Sequence, residues 1–220
     1  MNALPEGALQ ALLGDEPMWL LGTRALFWPA RSRLIIADLH LGKSHVFRRA
    51  GIAVPSGATR GDLDRLAEVI ARTAARELWI VGDLLHGPAG QAGWRDTWMA
   101  WRRDRAALEI AVLAGNHDRA LDGPAFGVRQ LGETCIDGPF LFSHVPRASP
   151  AGLHVIAGHV HPKTSVRGVP RSWPAFWLRP GLAILPAFSD FTGGHPASGD
   201  DGRIVACVEG VAIEVGGRPR

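Results

Sequence analysis

Only two cysteines occur in 220 residues, Cys135 and Cys207, and neither belongs to a close-spaced pair. That scarcity argues against a thiolate zinc knot and leads us to expect two reduced, buried thiols in a cytoplasmic protein. No apolar run approaches the ~20 residues that cross a bilayer. The chain opens Met1-Asn2-Ala3-Leu4-Pro5-Glu6, without the basic start and apolar stretch of a secretory leader. Repeats and low-complexity tracts are also lacking. What is present is ordinary globular material, 46% hydrophobic and 20% charged, and a single domain over residues 1–220 with a real core is expected. The net charge of +3 tolerates an anionic partner without requiring one. Lys43, Arg48 and Arg49 form a local basic cluster that suits a polyanion or, equally, an ordinary solvated face.

Short branched apolar runs mark buried strands at Arg33–Asp38, Leu78–Val81 and Ile110–Leu113. Thr59–Arg76 and Trp94–Leu108 read as the helices between them, the first with Leu63, Leu66, Ala67 and Ile70 on one face. Trp94, Trp98 and Trp101 recur at helical spacing, which points to a core-packing face rather than a base-stacking platform. Gly- and Pro-rich loops are expected at Ala50–Gly57 and Gly87–Gly93. This alternation implies a mostly parallel sheet with right-handed crossovers, whose ligands gather beyond the carboxyl ends of the strands. After Gly132 short apolar runs recur at Pro139–Ser143, Leu153–Ala157, Leu182–Leu185 and Ile204–Val208. They suggest a second, largely antiparallel sheet, with Arg167–Pro180 as an irregular crossover and Thr192–Gly202 as a polar surface loop.

Several apolar runs end in metal-ligand chemistry: Asp38-Leu39-His40, Gly82-Asp83, Gly115-Asn116-His117-Asp118 and Gly158-His159-Val160-His161, with His144 between the last two. Residues two apart on an extended chain face one side, so Asp38 with His40, and His159 with His161, can each address a common point. Oxygen and imidazole donors mixed in this number suit two cations of the Mn²⁺, Fe or Zn²⁺ type. Two such cations about 3.5–4 Å apart lower the pKa of a shared water and hold phosphoryl oxygens, which makes hydrolysis of a phosphate ester the leading expectation. Asp83 is central enough to bridge them, and Gly82 leaves room beside it. Taken singly each motif has a plain alternative. Asp-x-His is common at surfaces, Gly-Asp often marks a turn, and Asn116 or Asp118 could cap a helix. Their joint order is what those alternatives explain poorly. His86 stands three residues after Asp83, within reach of the site. His154 reads as a core or edge residue, and His45 and His195 as solvent-exposed.

The order Asp-x-His, Gly-Asp-x-x-His, Gly-Asn-His-Asp, His and Gly-His-x-His resembles the calcineurin-like metallophosphoesterase superfamily. The resemblance implies an α/β fold, a four-layer αββα sandwich with two central mixed sheets. It implies one metal held by Asp38, His40, Asp83 and His161, and another by Asp83, Asn116, His144 and His159. It assigns His117 as a general acid rather than a ligand. His86 occupies a position where many phosphatases of the superfamily carry Asp, and so looks more like the DNA-repair nuclease branch. Gly87 and Pro88 stand where serine/threonine phosphatases carry a phosphate-gripping Arg. Two longer stretches, Asp38–Lys43 continuing through Phe47-Arg48-Arg49-Ala50-Gly51 to Pro55, and Leu185–Gly194, are similar to the ligase-associated DNA damage response endonuclease family. That similarity implies a dinuclear, most simply Mn²⁺, phosphodiesterase acting on DNA and associated with an ATP-dependent DNA ligase, a helicase and a nuclease. Single-stranded or branched DNA is the expected substrate, with metal-bridged hydroxide attacking phosphorus, His117 and His86 assisting the leaving group, and Lys43, Arg48 and Arg49 guiding the strand. The rival readings are a hydrolase of small nucleotides or lipid-linked pyrophosphates, which would share the metal centre, and a non-catalytic metal-binding scaffold.

Overall fold

The computed structural model describes residues 3–54, 57–86, 93–150, 152–169, 171–190, 192–199 and 202–215. Pro55, Gly87, Pro88 and Phe191 lie outside the described residues.

The first sheet runs in chain order. It comprises β1 (Leu9–Leu13), β2 (Glu16–Leu21), β3 (Ala25–Trp28), β4 (Arg33–Ile36), β5 (Glu77–Val81), β6 (Glu109–Leu113) and β7 (Arg129–Gln130). The first four strands pair antiparallel and the remainder parallel. Helices α1 (Lys43–Arg49), α2 (Ala58–Thr73), α3 (Trp94–Arg103) and α4 (Gly123–Phe126) fall in the crossovers. Because β4, and β5 and β6 after their first residues Glu77 and Glu109, are buried, their side chains serve two cores by alternation. Leu34, Ile36, Leu78, Ile80, Ile110 and Val112 meet α2, α3 and α4 on one face, while Ile35, Trp79, Val81, Ala111 and Leu113 face the second sheet. The tryptophan stripe lies on the helical side, where Trp98 is fully buried and donates its Nε1–H to the Phe126 carbonyl at 3.0 Å.

The second sheet comprises β8 (Thr134–Asp137), β9 (Phe140–Ser143), β10 (His154–Ala157), β11 (Pro162–Ser165), β12 (Ser172–Arg179), β13 (Leu182–Ile184), β14 (His195–Pro196), β15 (Arg203–Val208) and β16 (Val211–Val215). Phe140, Phe142, Ile156, Phe176 and Val205 close the core between the sheets. The α/β class with two central mixed sheets is as expected. Among the described residues α2, α3 and α4 pack on the first sheet, and the outer face of the second carries a small cluster around Leu141, Val155 and Ala157.

Local expectations need correction in several places. Arg167–Pro180 is no irregular crossover: most of it is β12, the longest strand, which pairs antiparallel with β11, β13 and β15. The antiparallel expectation fails for β9, β10 and β13, which run parallel. Their hydrophobic pattern is the same in either direction, so direction is settled by the long connections between them. The three N-terminal strands and α1 had no counterpart in the sequence reading. His45 is half-buried on α1 rather than exposed, whereas His195 is exposed.

These pairings place the site. Ile36 lies opposite Ile80, and Val81 opposite Leu113, so the chain leaves β4, β5 and β6 at one edge carrying Asp38, Asp83 and Asn116. Ser143 lies opposite Ala157 in the second sheet, so His144 and Gly158 leave at a common edge too. A parallel bridge from Ala37 to Ala187 joins the two edges.

Candidate metal centre

The loops after β4 and β5 are zipped together by their backbones. His40 N–H donates to the Asp83 carbonyl at 2.8 Å, Leu41 N–H to the Leu84 carbonyl at 2.8 Å, and His86 N–H to the Leu41 carbonyl at 2.9 Å. The ligand pairs are not extended, as the alternation argument supposed. Asp38, His40, Asp83, His159 and His161 all have φ between +49° and +68°. That left-handed region costs a non-glycine residue of the order of 1 kcal/mol, and such residues concentrate at functional sites. Each pair reaches a common point through turns, not through strand alternation.

Side chains from five loops converge there. Asp83 Oδ2 lies 3.5 Å from His144 Nε2, 4.0 Å from His40 Nδ1 and 4.0 Å from His117 Nε2. Asp38 Oδ1 lies 3.3 Å from His161 Nε2 and 3.8 Å from His144 Nδ1. His159 Nδ1 stands 3.1 Å from His144 Nε2, and its backbone N–H donates to Asp38 Oδ2 at 3.0 Å. His86 stacks near His117, ring centres 4.6 Å apart, and meets His40 edge-on at 5.1 Å. Asn116 is exposed in a groove shared with His144; among the described residues no hydrogen bond or ion pair joins its side chain to the cluster.

Burial decides what this cluster can hold. Asp38 and Asp83 are buried carboxylates, at 0% and 3% exposure. Charges removed from water this far need a compensating cation. Asp38 Oδ1, both ring nitrogens of His40 and His161 Nε2 are buried without a hydrogen-bond partner. Asp38 with His40 and His161, and Asp38 with Asp83 and His144, form two overlapping sets with metal-ligand spacing. Asp38 belongs to both, and Asp83 lies within reach of donors from each. Burial, reinforced by Lys43 and the neighbouring imidazoles, pushes the His40 imidazole down to about 2, and burial also lowers His159. Neutral rings present lone pairs to a metal rather than charges that repel it. His144 points Nδ1 at the Val81 carbonyl, 3.2 Å away, which fixes the tautomer that leaves Nε2 free to ligate. The residues present therefore fit divalent cations.

Two features do more than the sequence indicated. Asp118 is not a simple helix cap. Its buried carboxylate accepts from Leu85 N–H at 2.9 Å, Leu84 N–H at 3.3 Å and Gly115 N–H at 2.9 Å, stapling the Asp83 loop to the Asn116 loop. The fourth residue of Gly-Asn-His-Asp was the available signal. Asp118→Ala would strand these donors and is expected to cost about 2–5 kcal/mol in urea unfolding, with activity falling alongside. Glycine is the other feature: a Cβ at Gly115 would sit 2.2 Å from Asp83 Oδ1, and one at Gly82 only 2.1 Å from His144 Nδ1.

Lys43 is buried on α1 and donates to Thr192 Oγ1 at 3.3 Å, and burial lowers its ammonium below the usual range. Arg48 and Arg49 are exposed in the last turn of the same helix, and the structure does not bring them to the cluster through any described contact.

The family model for calcineurin-like phosphoesterases matches residues 32–178, which carry every one of these loops. The chain belongs to the calcineurin-like phosphoesterase family. It is accordingly a metal-dependent phosphoesterase. Among solved structures it is similar to the Pseudomonas putida nuclease MPE, at 30% identity and TM-score 0.81, covering 94% of this chain and 100% of that one. Yfce, a phosphoesterase from E. coli, matches at 16% identity and TM-score 0.48 over 83% of this chain and 97% of that one. Among curated proteins none matches significantly. No helix among the described residues is long and apolar enough to cross a membrane.

Proposed function

We propose that this phosphoesterase is a phosphodiesterase that cuts DNA internally, with two divalent cations, in the simplest case Mn²⁺, at the cluster. The observation that carries the reading is the shared position of Asp83, its Oδ2 within 4.0 Å of His40, His144 and His117. The end-to-end similarity to a nuclease at 30% identity supports the substrate class. Asp38, His40, Asp83 and His161 would hold one ion, and Asp83, Asn116, His144 and His159 the other. When bound, such ions lower the pKa of water and neutralise charge on the phosphoryl oxygens.

The protein's own groups do the rest. His117 stands at the exposed mouth of the site, its backbone N–H tied to Asp83 Oδ1 at 2.9 Å. From there its ring can hand a proton to the departing ester oxygen. His86, pushed down to about 4 by burial, Lys43 and His117, is a neutral ring packed beside His117 and limits its orientation. Lys43 stands inside the site as a buried cation for the phosphate, and Arg48 and Arg49 offer outer charges for the strand.

The test is an activity screen of the Mn²⁺-loaded protein over single-stranded, duplex and branched DNA, against bis-p-nitrophenyl phosphate and cyclic nucleotides. Internal cuts in single-stranded or branched DNA are expected. Turnover of small diesters or nucleotides with DNA left intact would overturn the reading. His117→Ala is expected to lower kcat by about a hundred- to a thousandfold while metal content by elemental analysis stays normal. Loss of metal in that variant would make His117 a ligand instead.

A further inference from the structure

Two grooves each share residues with the metal centre. One, of about 470 Å³, includes His161 and is lined by Lys163, Arg171 and Trp173 of the β11–β12 hairpin and by Arg24 and Asp190. The other, of about 490 Å³, begins at Asn116 and His144 and is lined by Arg119, Arg147 and Glu133.

Their charges differ in availability. Asp190 is clasped by Arg24 at 2.7 Å and Arg65 at 2.9 Å, so its charge is already spent within the protein. Lys163 has no ion-pair partner among the described residues, and neither do Arg119 and Arg147. Among the described residues Arg171 has one ion-pair contact, 3.8 Å from the exposed Glu209. Its guanidinium lies 3.6 Å above the ring of the buried Trp173, and its side chain is 62% exposed. The tryptophan thus holds one face of the guanidinium flat, while the other is open to solvent. A planar cation presented this way can stack an unpaired base or take a phosphate.

A phosphodiester has two ester arms. With its phosphorus at the metal centre, the groove at His161 and the groove at Asn116 each offer an arm a path lined by exposed cations. A free phosphomonoester or mononucleotide would use one groove and leave the other idle. We propose, on the nuclease reading above, that a single polynucleotide strand threads both grooves. Lys163 and Arg171 on its Trp173 support take the nucleotide on one side of the cut, and Arg119 and Arg147 take the phosphate on the other.

The experiment compares two double variants, Lys163→Ala/Arg171→Ala and Arg119→Ala/Arg147→Ala, with the unmodified Mn²⁺-loaded protein. Substrates are single-stranded oligonucleotides of increasing length and bis-p-nitrophenyl phosphate. Each double variant is expected to lower kcat/KM for a long oligonucleotide about tenfold relative to that for the small diester, mainly through KM. Each should also flatten the dependence of log(1/KM) on log salt by about 1.4, the value for two lost phosphate contacts on a single strand. Arg171→Lys, which keeps the charge and loses the flat face, should recover the salt slope but not the full KM. Internal DNA cleavage by the unmodified protein with both ratios and slopes unchanged in the variants would overturn this inference alone. A response in only one double variant would overturn the two-sided path. Absence of DNA cleavage by the unmodified protein would overturn the nuclease reading instead.

Discussion

Asp83→Asn is expected to reduce phosphodiester hydrolysis by about a thousandfold or more while leaving the fold intact. Asparagine has nearly the same shape, which matters because Gly115 packs against this side chain. Its amide oxygen can still accept the His117 N–H that Asp83 Oδ1 receives at 2.9 Å. What it lacks is the charge. Asp83 sits between the donors of both proposed ions, so its neutralisation would weaken both, and with them the lowering of water's pKa towards neutrality that such ions supply. A thermodynamic readout separates this from simple damage. Metal at a hundred times its Kd should stabilise the unmodified protein by about 2.7 kcal/mol per site. In Asp83→Asn that gain should largely vanish. The metal-free stability should hold or rise, because one of the cluster's two buried carboxylates, Asp38 and Asp83, has lost its charge. Near-normal activity with an unchanged metal-induced shift in Tm would remove Asp83 from the centre of the site.

Gly82→Ala is expected to damage both stability and metal binding through a single methyl group. Gly82 has φ +79°, and a Cβ there would meet His144 Nδ1 at 2.1 Å and Cγ at 2.3 Å. His144 cannot simply move aside, since it is buried and held to the Val81 carbonyl. The left-handed backbone costs about 1–2 kcal/mol and the overpacking about 1–3 kcal/mol more, so a loss of about 2–5 kcal/mol is expected in urea unfolding. Gly51→Ala supplies the control. Its φ of +78° is nearly identical, but nothing lies within 4 Å of its Cβ position, so it should lose the backbone part alone. The metal-induced rise in Tm should shrink in Gly82→Ala and persist in Gly51→Ala. Equal losses of stability in the two variants, with metal response intact in both, would show that the space beside Gly82 does not serve His144.

The strands β4, β5 and β6 were legible because a strand buried on both faces is an unbroken branched run, and the polar residue that ends it declares the edge. Asp38, Asp83 and Asn116 could therefore be placed at one edge from the pattern alone. The helices α2 and α3 were legible from apolar spacing, though each ends several residues before its polar pattern does. Helix α1 was not, because its seven residues are too few to display a period. The N-terminal strands were not, because short apolar runs serve either helix or strand.

The sequence by itself determined the chemistry available to this protein: the carboxylate and imidazole donors, their order, and the apolar runs that carry them to strand ends. Such information is local, written in residue type and in periods of two and near four. Tertiary structure alone decided the rest. The parallel pairing of β9 with β10 set His144 beside Gly158. Left-handed turns aimed the ligand pairs, Asp118 became a staple between loops, and a hairpin stood Arg171 on Trp173 in a groove that His161 also lines. Each of these depends on which distant segments meet and in what direction, and that is settled only when the two sheets close on a common core.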